Sequence, residues 1–480
     1  MKTKNDILIK VLSLSIGLSV GIVLIAKVFF ELSYDSFYKD IDRVYTIRNY
    51  YSQHGDEHDY GQVSGAVPVG FMEEVPGIEV GTRTTFVFNG DIYLDADGNK
   101  LKGTLVCADT CFFKVFDRPI LAGDPVQVLG KWGSVMVNRS FAEKMGGVQE
   151  CIGKQIANAD MDGLKMTIEG VFDDFPKNGS LDYDILLSMD TYGKRSTDNW
   201  LGNDRYKGYV KLAPGIDPNT LSDAIRKMQE AHQPLEQMEA QGISMRYFLS
   251  PFSTMHTSSP KVKTQVILLS IIAALLIIIS LLNYILIVIS SMVKRSKEVG
   301  VRKCYGAEGK HIYWMLTKES LLHMSLSLVI AAIIIFAGRG IVENLLGVPF
   351  QTLLVPQSIV AIAAVLLFVL VISIVVPAEL YQRIPVLAAI KNHTENSRRW
   401  KLSLIGVQVL INVFLVVMML IIGSQYQKVS NADTGYDYKN LYYFDLFDGD
   451  RHAQVRAVET LRCLPEVSGV AAAYNLPYSG

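Results

Sequence analysis

The chain has 480 residues, of which half are hydrophobic and 19% are charged, and its formal net charge is −1. The near-zero charge gives no electrostatic signal for binding nucleic acid, and the charged share falls below the roughly 25% typical of soluble domains. The apolar excess is concentrated in five blocks, near residues 11–30, 264–293, 321–337, 358–377 and 403–423. Composition therefore predicts a membrane protein with an ordinary globular stretch between residues 31 and 260.

The apolar blocks are long enough to cross a membrane, since a bilayer core of about 30 Å requires roughly 20 apolar residues in a helix. The first, Ile7–Phe30, is too long for a signal peptide and no A-x-A site follows it, so it is predicted to be an uncleaved anchor. Its lysines, Lys10 and Lys27, are expected to snorkel toward the membrane surfaces. Gly17 and Gly21 form a GxxxG pair that would let a second helix approach closely.

The predicted organisation alternates spans with outer and inner segments. In chain order it comprises a cytoplasmic N-terminus and first span (1–30), an extracytoplasmic α+β domain (31–260), a second span (261–293), a cytoplasmic segment (294–320), a third span (321–337), a short outer loop (338–357), a fourth span (358–377), a cytoplasmic loop (378–401), a fifth span (402–424) and the start of a second outer domain (425–480).

Basic residues set this orientation, because short cytoplasmic loops are rich in Lys and Arg. The stretch 294–318 carries seven basic residues and 379–401 carries five, whereas 338–357 carries only Arg339. With five alternating spans, all the basic segments lie on one side. The protein is therefore expected in a bacterial inner membrane, crossing it several times, with a cytoplasmic N-terminus.

Residues 31–260 alternate segments typical of strands with segments typical of helices. Strands rich in β-branched and aromatic residues are predicted at Asp42–Tyr51, Arg83–Phe88, Gly133–Asn138, Met166–Phe172 and Tyr206–Leu212. Asp97-Gly98 and Asp162-Gly163 are predicted as hairpin turns. Asp217-Pro218-Asn219 is predicted to cap an amphipathic helix that contains Leu221, Ile225 and Met228. These elements predict an α+β domain, either as one body or in two lobes.

No metal or catalytic site is predicted in this domain. Asp95-Ala96-Asp97-Gly98-Asn99 resembles half of a calcium loop, but the acid that should close the loop is missing, so a hairpin tip is favoured. His54 and His58 are interpreted as part of a solvated loop rather than as metal ligands. Neither a nucleophile elbow nor an HExxH motif is present.

The five cysteines carry little information about function. Cys107 and Cys111 have no second pair with zinc-ligand spacing, so they do not predict a zinc site. A disulfide from either of them to Cys151 stays open if the domain faces an oxidising compartment.

The end of the chain repeats features of its beginning. Basic residues precede both the first and the fifth span, and each of these spans is followed by a polar, tyrosine-containing segment, 32–35 or 435–437, and then by a strand-like one. A second span-plus-domain unit is therefore predicted to start near the end of the sequence. We expect the sequence to be a fragment or a truncated product.

Several motifs together resemble the MacB/FtsX-type ABC transporter permeases. Leu282-Asn283-Tyr284, the stretch KRSKEVGVRKCYGAEGKHI (294–312) and Lys318-Glu319-Ser320 are similar to the family's Asn-bearing span and its R-x-K-E-[IV]-G-[IV]-R-[KR]-x-x-G-A pattern. Further similar segments are Phe112–Phe116 with Gly123–Pro125, Ser140–Lys154 and Gly170–Asn178. The sequence departs from the family at Cys304-Tyr305, where aliphatic residues are usual, and at Gly179, where Ser is common.

The resemblance covers nearly the whole chain and is to the long duplicated form common in Bacteroidetes, of which this chain would contain five of eight spans. It implies an α-helical transmembrane bundle with a MacB-like periplasmic core domain. It also implies mechanotransmission, in which a separate MacB/LolD-like ATPase moves the periplasmic domain for efflux, export, or lipoprotein or peptide handling. Periplasmic or outer-membrane proteins are further expected partners, and nucleic acid is not.

The cytoplasmic segment 294–320 is the candidate site of ATPase coupling. Glu298 and Arg302 are four residues apart and can pair on a helix, and a short amphipathic helix is predicted after Gly306. Charge alone favours a loop lying on anionic lipid, whereas the resemblance favours docking of the ATPase. The residues assigned to coupling are Lys297, Glu298, Gly300, Arg302, Lys303, Gly306 and Ala307.

Asn283 is polar at mid-span depth and is expected to make a helix–helix hydrogen bond rather than to bind a ligand. The chain has no G-x-x-x-x-G-K-[ST] phosphate loop, so we expect it to be no enzyme, to bind no cofactor directly and to use ATP through its partner. Two alternatives remain: an FtsX-like regulator of a periplasmic cell-wall hydrolase, and a transmembrane sensor. A sensor would need a larger cytoplasmic output domain than the inner segments provide.

Overall fold

A computed structural model of the chain describes residues 2–86, 92–95, 98–158, 164–192, 198–202, 204–294, 305, 309–382, 398–432, 440–443 and 451–472. The chain divides into two compact units. The helical unit comprises Met1–Tyr34 and His256–Lys439, and the sheet domain comprises Asp35–Met255 and Asn440–Gly480.

Helices and strands are numbered along the described chain. The helices are α1 (Lys2–Leu32), α2 (Val67–Glu74), α3 (Phe112–Val115), α4 (Pro125–Leu129), α5 (Arg139–Lys144), α6 (Ser222–His232), α7 (Leu235–Ala240), α8 (Met255–Ser258), α9 (Pro260–Lys294), α10 (Gly309–Ala337), α11 (Arg339–Leu346), α12 (Pro356–Gln382), α13 (Arg398–Ser430) and α14 (Arg451–Arg462). The strands are β1 (Val44–Gln53), β2 (Asp56–Tyr60), β3 (Ile78–Thr85), β4 (Ile92–Asp95), β5 (Lys100–Lys102), β6 (Leu105–Ala108), β7 (Ile120–Ala122), β8 (Ser134–Asn138), β9 (Gln155–Asn158), β10 (Lys165–Phe172), β11 (Ile185–Ser188), β12 (Tyr206–Leu212) and β13 (Ile243–Pro251).

Five helices of the described chain are long and apolar enough to cross a membrane, as composition predicts. The stretches that qualify are Ile7–Leu32, Pro260–Ser291, Tyr313–Ala337, Pro356–Glu379 and Ile405–Ser430, in α1, α9, α10, α12 and α13 respectively. The third membrane-spanning helix, α10, starts earlier than the sequence predicts, because it already begins at Gly309. Neither proline nor glycine interrupts residues 310–337, so the amphipathic segment after Gly306 continues into the span instead of forming a separate short helix. The connection 338–357 contains α11 and a 3₁₀ turn at Phe350–Leu353.

The sheet domain is built on one mixed sheet that connects the thirteen described strands. Its path runs β13-β1-β12-β3-β6-β11-β8-β10-β9-β4-β5, while β2 pairs with β1 and β7 pairs with β10. The pairs β8–β10 and β6–β11 are parallel, and the other pairs are antiparallel. Helices packed against a mixed sheet confirm the α+β class, and the described strands form one body rather than two lobes.

Both predicted hairpin regions and the predicted capped helix lie near their expected positions. β4 and β5 pair antiparallel on either side of Gly98, whose φ of +81° suits glycine in a tight turn. β9 and β10 also pair antiparallel, and the turn Asp162-Gly163 between them lies outside the described residues. The carboxylate of Asp217 accepts a hydrogen bond from the backbone N–H of Asn219 at 3.0 Å, and the 3₁₀ turn that follows leads into α6.

The region of His54 and His58 is a hairpin rather than a loop. β1 turns at His54-Gly55, where both residues have positive φ, and continues as β2. All five residues of β2 are exposed, so the expected solvent contact of His58 is correct although the strand was missed. Among the described residues, no group of three or more His, Cys, Asp and Glu side chains is placed to hold a metal ion.

Cys107, Cys111 and Cys151 are free thiols, so neither disulfide considered from the sequence is formed. Cys107 is fully buried on β6, and burial raises the pKa of its thiol to about 12. At pH 8 only about one thiol in ten thousand would then be ionised.

We expect Cys107 to resist maleimide in the folded protein and to react fully in denaturant, because the reagent attacks the thiolate and cannot reach a buried sulfur. Mass spectrometry after labelling measures the modified fraction at each cysteine. The exposed Cys463 serves as the internal reference that should react without denaturant. Equal native labelling of Cys107 and Cys463 would contradict the packing of β6.

Candidate functional site: polar contacts between the membrane-spanning helices

Helix α1 packs closely against α9 at its two glycines. A Cβ added at Gly17 would lie 2.3 Å from Ser280 Cβ, and one added at Gly21 would lie 2.9 Å from Ile277 Cγ1. The hydroxyl of Ser280 donates a hydrogen bond to the carbonyl oxygen of Ser13 at 2.7 Å. The prediction that the GxxxG pair admits a second helix is therefore confirmed.

Serines of two further helices also bond to the backbone of α1. Ser327 of α10 donates to the carbonyl oxygen of Val11 at 3.1 Å, and Ser358 of α12 donates to that of Ala26 at 3.2 Å. Small side chains and serine hydroxyls are the usual means of helix association in a membrane, where lipid removes the hydrophobic drive between helices. Each of α9, α10 and α12 therefore makes a serine hydrogen bond to the backbone of α1.

We expect Gly17→Leu to lower the apparent melting temperature of the detergent-solubilised protein, because the new side chain would overlap Ser280. Overpacking of this kind typically costs about 1–3 kcal/mol. Gly406→Leu is the matched control, since it makes the same change in α13 at a position with open space around it. Equal melting temperatures for the two variants would contradict the close approach of α1 and α9.

The sequence expectation that Lys10 and Lys27 snorkel to the membrane surface differs from the structure. Only 3% of Lys10 is exposed, and its Nζ lies 2.9 Å from Glu319 Oε1 on α10. Lys27 is also buried and lies 2.5 Å from the carboxylate of Glu31, one turn along α1. Both ammonium groups are neutralised within the helical unit, because a buried charge requires an opposite charge or a hydrogen-bonding partner.

A cluster of polar side chains joins α9, α10 and α12 one turn beyond Glu319. The hydroxyl of Tyr284 lies 3.1 Å from Nδ1 of His323 and 3.3 Å from Oγ of Ser320. Ser320 in turn donates to the carbonyl oxygen of Ser373 at 3.4 Å. Tyr284, Ser320 and His323 are all buried, so these hydrogen bonds replace the ones that their side chains would otherwise make with water.

Asn283 makes a hydrogen bond between two helices. Its Oδ1 accepts from Nε2 of Gln408, on α13, at 2.5 Å. Gln408 is separated from Asn283 by 125 positions, and the sequence interpretation did not identify it as the partner. Near the start of α10, the hydroxyl of Tyr313 donates to Glu379 of α12 at 2.6 Å.

At the other end of α1, a cluster of Lys27, Glu31, Tyr34 and His256 connects this helix to α8. Nε2 of His256 lies 2.6 Å from the carboxylate of Glu31, which also binds Lys27. The rings of Tyr34 and His256 stack with centroids 3.4 Å apart and planes 5° from parallel. This Glu31 cluster holds together the two points at which the chain leaves and re-enters the helical unit.

The residues assigned to ATPase coupling, Lys297, Glu298, Gly300, Arg302, Lys303, Gly306 and Ala307, lie outside the described residues. The structure describes the helix that follows them. On α10, Glu319, His323 and Ser327 recur every four residues and all three contact α1 or α9. The sequence prediction starts the third span at Leu321 and therefore omits this polar stripe, although polar residues at spacing four within an apolar helix indicate it.

Two family models match successive parts of the chain. A MacB-like periplasmic core domain matches residues 8–228, and an FtsX-like permease C-terminal domain matches residues 270–386. Together the matched ranges take in well over half of the sequence. No curated protein matches it.

Solved structures with similarity to the chain come from two organisms. A domain assigned to a permease protein of Porphyromonas gingivalis is 34% identical, with a TM-score of 0.42, and the match covers 45% of this chain and 92% of that one. The periplasmic region of MacB from Actinobacillus actinomycetemcomitans is 15% identical, with a TM-score of 0.32 and the same coverage. The family models, and not these superpositions, carry the assignment. The chain therefore belongs to the MacB/FtsX-type ABC transporter permeases, multi-pass inner-membrane proteins that generally work with a partner ATPase.

Proposed function

We propose that this chain is the permease subunit of a mechanotransmission system, in which a separate cytoplasmic ATPase of the MacB/LolD type drives a conformational change in the periplasmic domain. The chain itself would bind no nucleotide and would use ATP only through that partner. Export, or the handling of lipoproteins or peptides, is the role that such a movement would serve.

The observation that carries the proposal is the connectivity of α1 and α9. α1 ends at Leu32, shortly before the segment Asp35–Met255 of the sheet domain starts, and α9 begins at Pro260, shortly after that segment ends. The two helices pack against each other through Gly17 and Ser280. A displacement of this helix pair would therefore reach both ends of the segment Asp35–Met255 through very few intervening residues.

The basic segment 294–308 starts at the last residue of α9 and precedes α10. Its charge supports a cytoplasmic location by the positive-inside rule, which would place the N-terminus on the same side and the sheet domain in the periplasm. A partner that binds this segment would act on the ends of α9 and α10 at once. The segment is thus the docking site that we propose for the ATPase.

Affinity purification of the full-length chain from its own membrane in mild detergent tests the proposal. We expect mass spectrometry to identify an ATPase with a phosphate loop in the purified complex, and we expect the complex to hydrolyse ATP. Membranes that lack the tagged chain provide the control for non-specific capture. A purified chain that carries no ATPase and does not stimulate one would contradict the proposed function.

A further inference from the structure

The first turns of α10 are tied to three other helices by polar side chains. The contacts are Glu319 with Lys10 of α1, Ser320 and His323 with Tyr284 of α9, and Tyr313 with Glu379 of α12. They all fall within eleven residues, which corresponds to about 15 Å of helix at 1.5 Å per residue. The start of α10 and its neighbours should therefore move together.

The contact with α1 differs from the others because it is ionic. Lys10 and Glu319 form an ion pair between α1 and α10. Lys10 is almost completely buried, so separating the pair would leave a buried ammonium group without its counter-charge. The hydrogen bonds of Tyr284 and Ser327 join neutral groups, and losing one of them would leave no buried charge.

We propose that Glu319 is a positioning residue for coupling, and that it makes α1 follow α10 through its ion pair with Lys10. α10 is the helix that leaves segment 294–308, and α1 is the helix that continues into the sheet domain. The path of movement would run from the docked segment to α10, across the Glu319–Lys10 pair to α1, and along α1 to Asp35. This inference rests on the proposed function, because it takes the segment to be the ATPase docking site.

A neutral variant of the pair, Lys10→Met with Glu319→Gln, tests the proposal in the complex of full-length chain and ATPase. Replacing both partners removes the buried ammonium group together with its counter-charge, so the variant should fold with a melting temperature close to that of the native protein. The readout is hydrogen exchange of residues 33–60, which follow α1, measured with and without ATP. We expect the ATP-dependent change in exchange to fall at least about fivefold, the lower range of measured coupling between sites.

Three further variants make the result specific. The swap Lys10→Glu with Glu319→Lys keeps an ion pair and should restore the response. Glu319→Asp keeps the charge but shortens the side chain. It serves as the test variant if the Lys10→Met, Glu319→Gln protein does not accumulate in membranes. Arg339→Gln removes an exposed charge of the same unit and should leave the response unchanged.

Each outcome decides between the pair and the docking segment. The role of Glu319 is supported if all variants capture the ATPase and the ATP-dependent change in exchange is lost only in the neutral pair. A weakened change in Glu319→Asp supports it as well. A native response in the neutral pair, or a swap variant that stays uncoupled, would overturn it while leaving the proposed function intact. Loss of ATPase capture by the neutral pair would also overturn it, since Glu319 would then serve docking. A native chain that captures no ATPase would overturn the proposed function itself.

Discussion

Reversal of Glu298 and Arg302 together, as Glu298→Lys with Arg302→Glu, should abolish capture of the ATPase by the full-length chain. The reversed residues keep opposite charges at spacing four, so the exchange does not itself remove the possibility of a bridge between them. The potential that the segment presents to its partner is inverted at both positions, and like charges brought together at an interface cost several kcal/mol. We therefore expect binding to weaken at least about a hundredfold, which corresponds to about 3 kcal/mol.

Quantitative co-purification at equal permease levels measures this loss. Arg226→Glu with Glu230→Lys is the matched control, because it reverses an Arg–Glu pair at the same spacing on the exposed face of α6 in the sheet domain. The control should capture the ATPase as the native chain does. Undiminished capture by the Glu298 and Arg302 variant would show that the ATPase docks elsewhere, and a role of segment 294–308 in lipid contact would then be favoured.

The elements of the sheet domain that could be predicted are those whose local pattern is strong. β12 has the predicted bounds, and β8 and β10 start within one residue of theirs, because runs of β-branched and aromatic residues specify an extended chain. β3 begins at Ile78, five residues before the predicted start, because Gly81 lacks the β-branched or aromatic side chain on which the prediction depends. The parallel pairs β8–β10 and β6–β11 could not be predicted, because they join strands that are far apart along the chain and local sequence does not encode their register.

Contacts between helices of the helical unit could likewise be predicted only in part, because their partners lie far apart along the chain. Asn283 could be identified because an amide in an apolar span needs a hydrogen-bond partner. Its partner Gln408, and the carboxylate of Glu319 that binds Lys10 from 309 positions away, depend on which helices are neighbours. Lysine side chains are also ambiguous in sequence, because the same residue can reach water or bind an acid that only the packed bundle supplies.

Replacement of Glu31 by glutamine should destabilise the helical unit strongly. Glu31 is the carboxylate that binds both Lys27 and His256, and Lys27 and Glu31 are each about 95% buried. Glutamine keeps the size of the side chain but leaves the Lys27 ammonium group without a counter-charge. Breaking a buried pair in this way costs about 3–5 kcal/mol, far more than the pair contributes relative to an apolar replacement. The apparent melting temperature of the helical unit in detergent or nanodiscs measures the effect.

Two comparisons separate the buried charge from the general loss of an ion pair. Arg339→Gln breaks a pair at the same spacing in the same unit, between Arg339 and Glu343, but on an exposed surface where solvent replaces the lost partner. Its melting temperature should stay close to the native value. The double variant Lys27→Leu with Glu31→Leu removes both charges and should melt well above Glu31→Gln, because no ion is left buried. If Glu31→Gln melts like the native protein, Lys27 must reach water without Glu31, and the sequence expectation that this lysine snorkels would be correct after all.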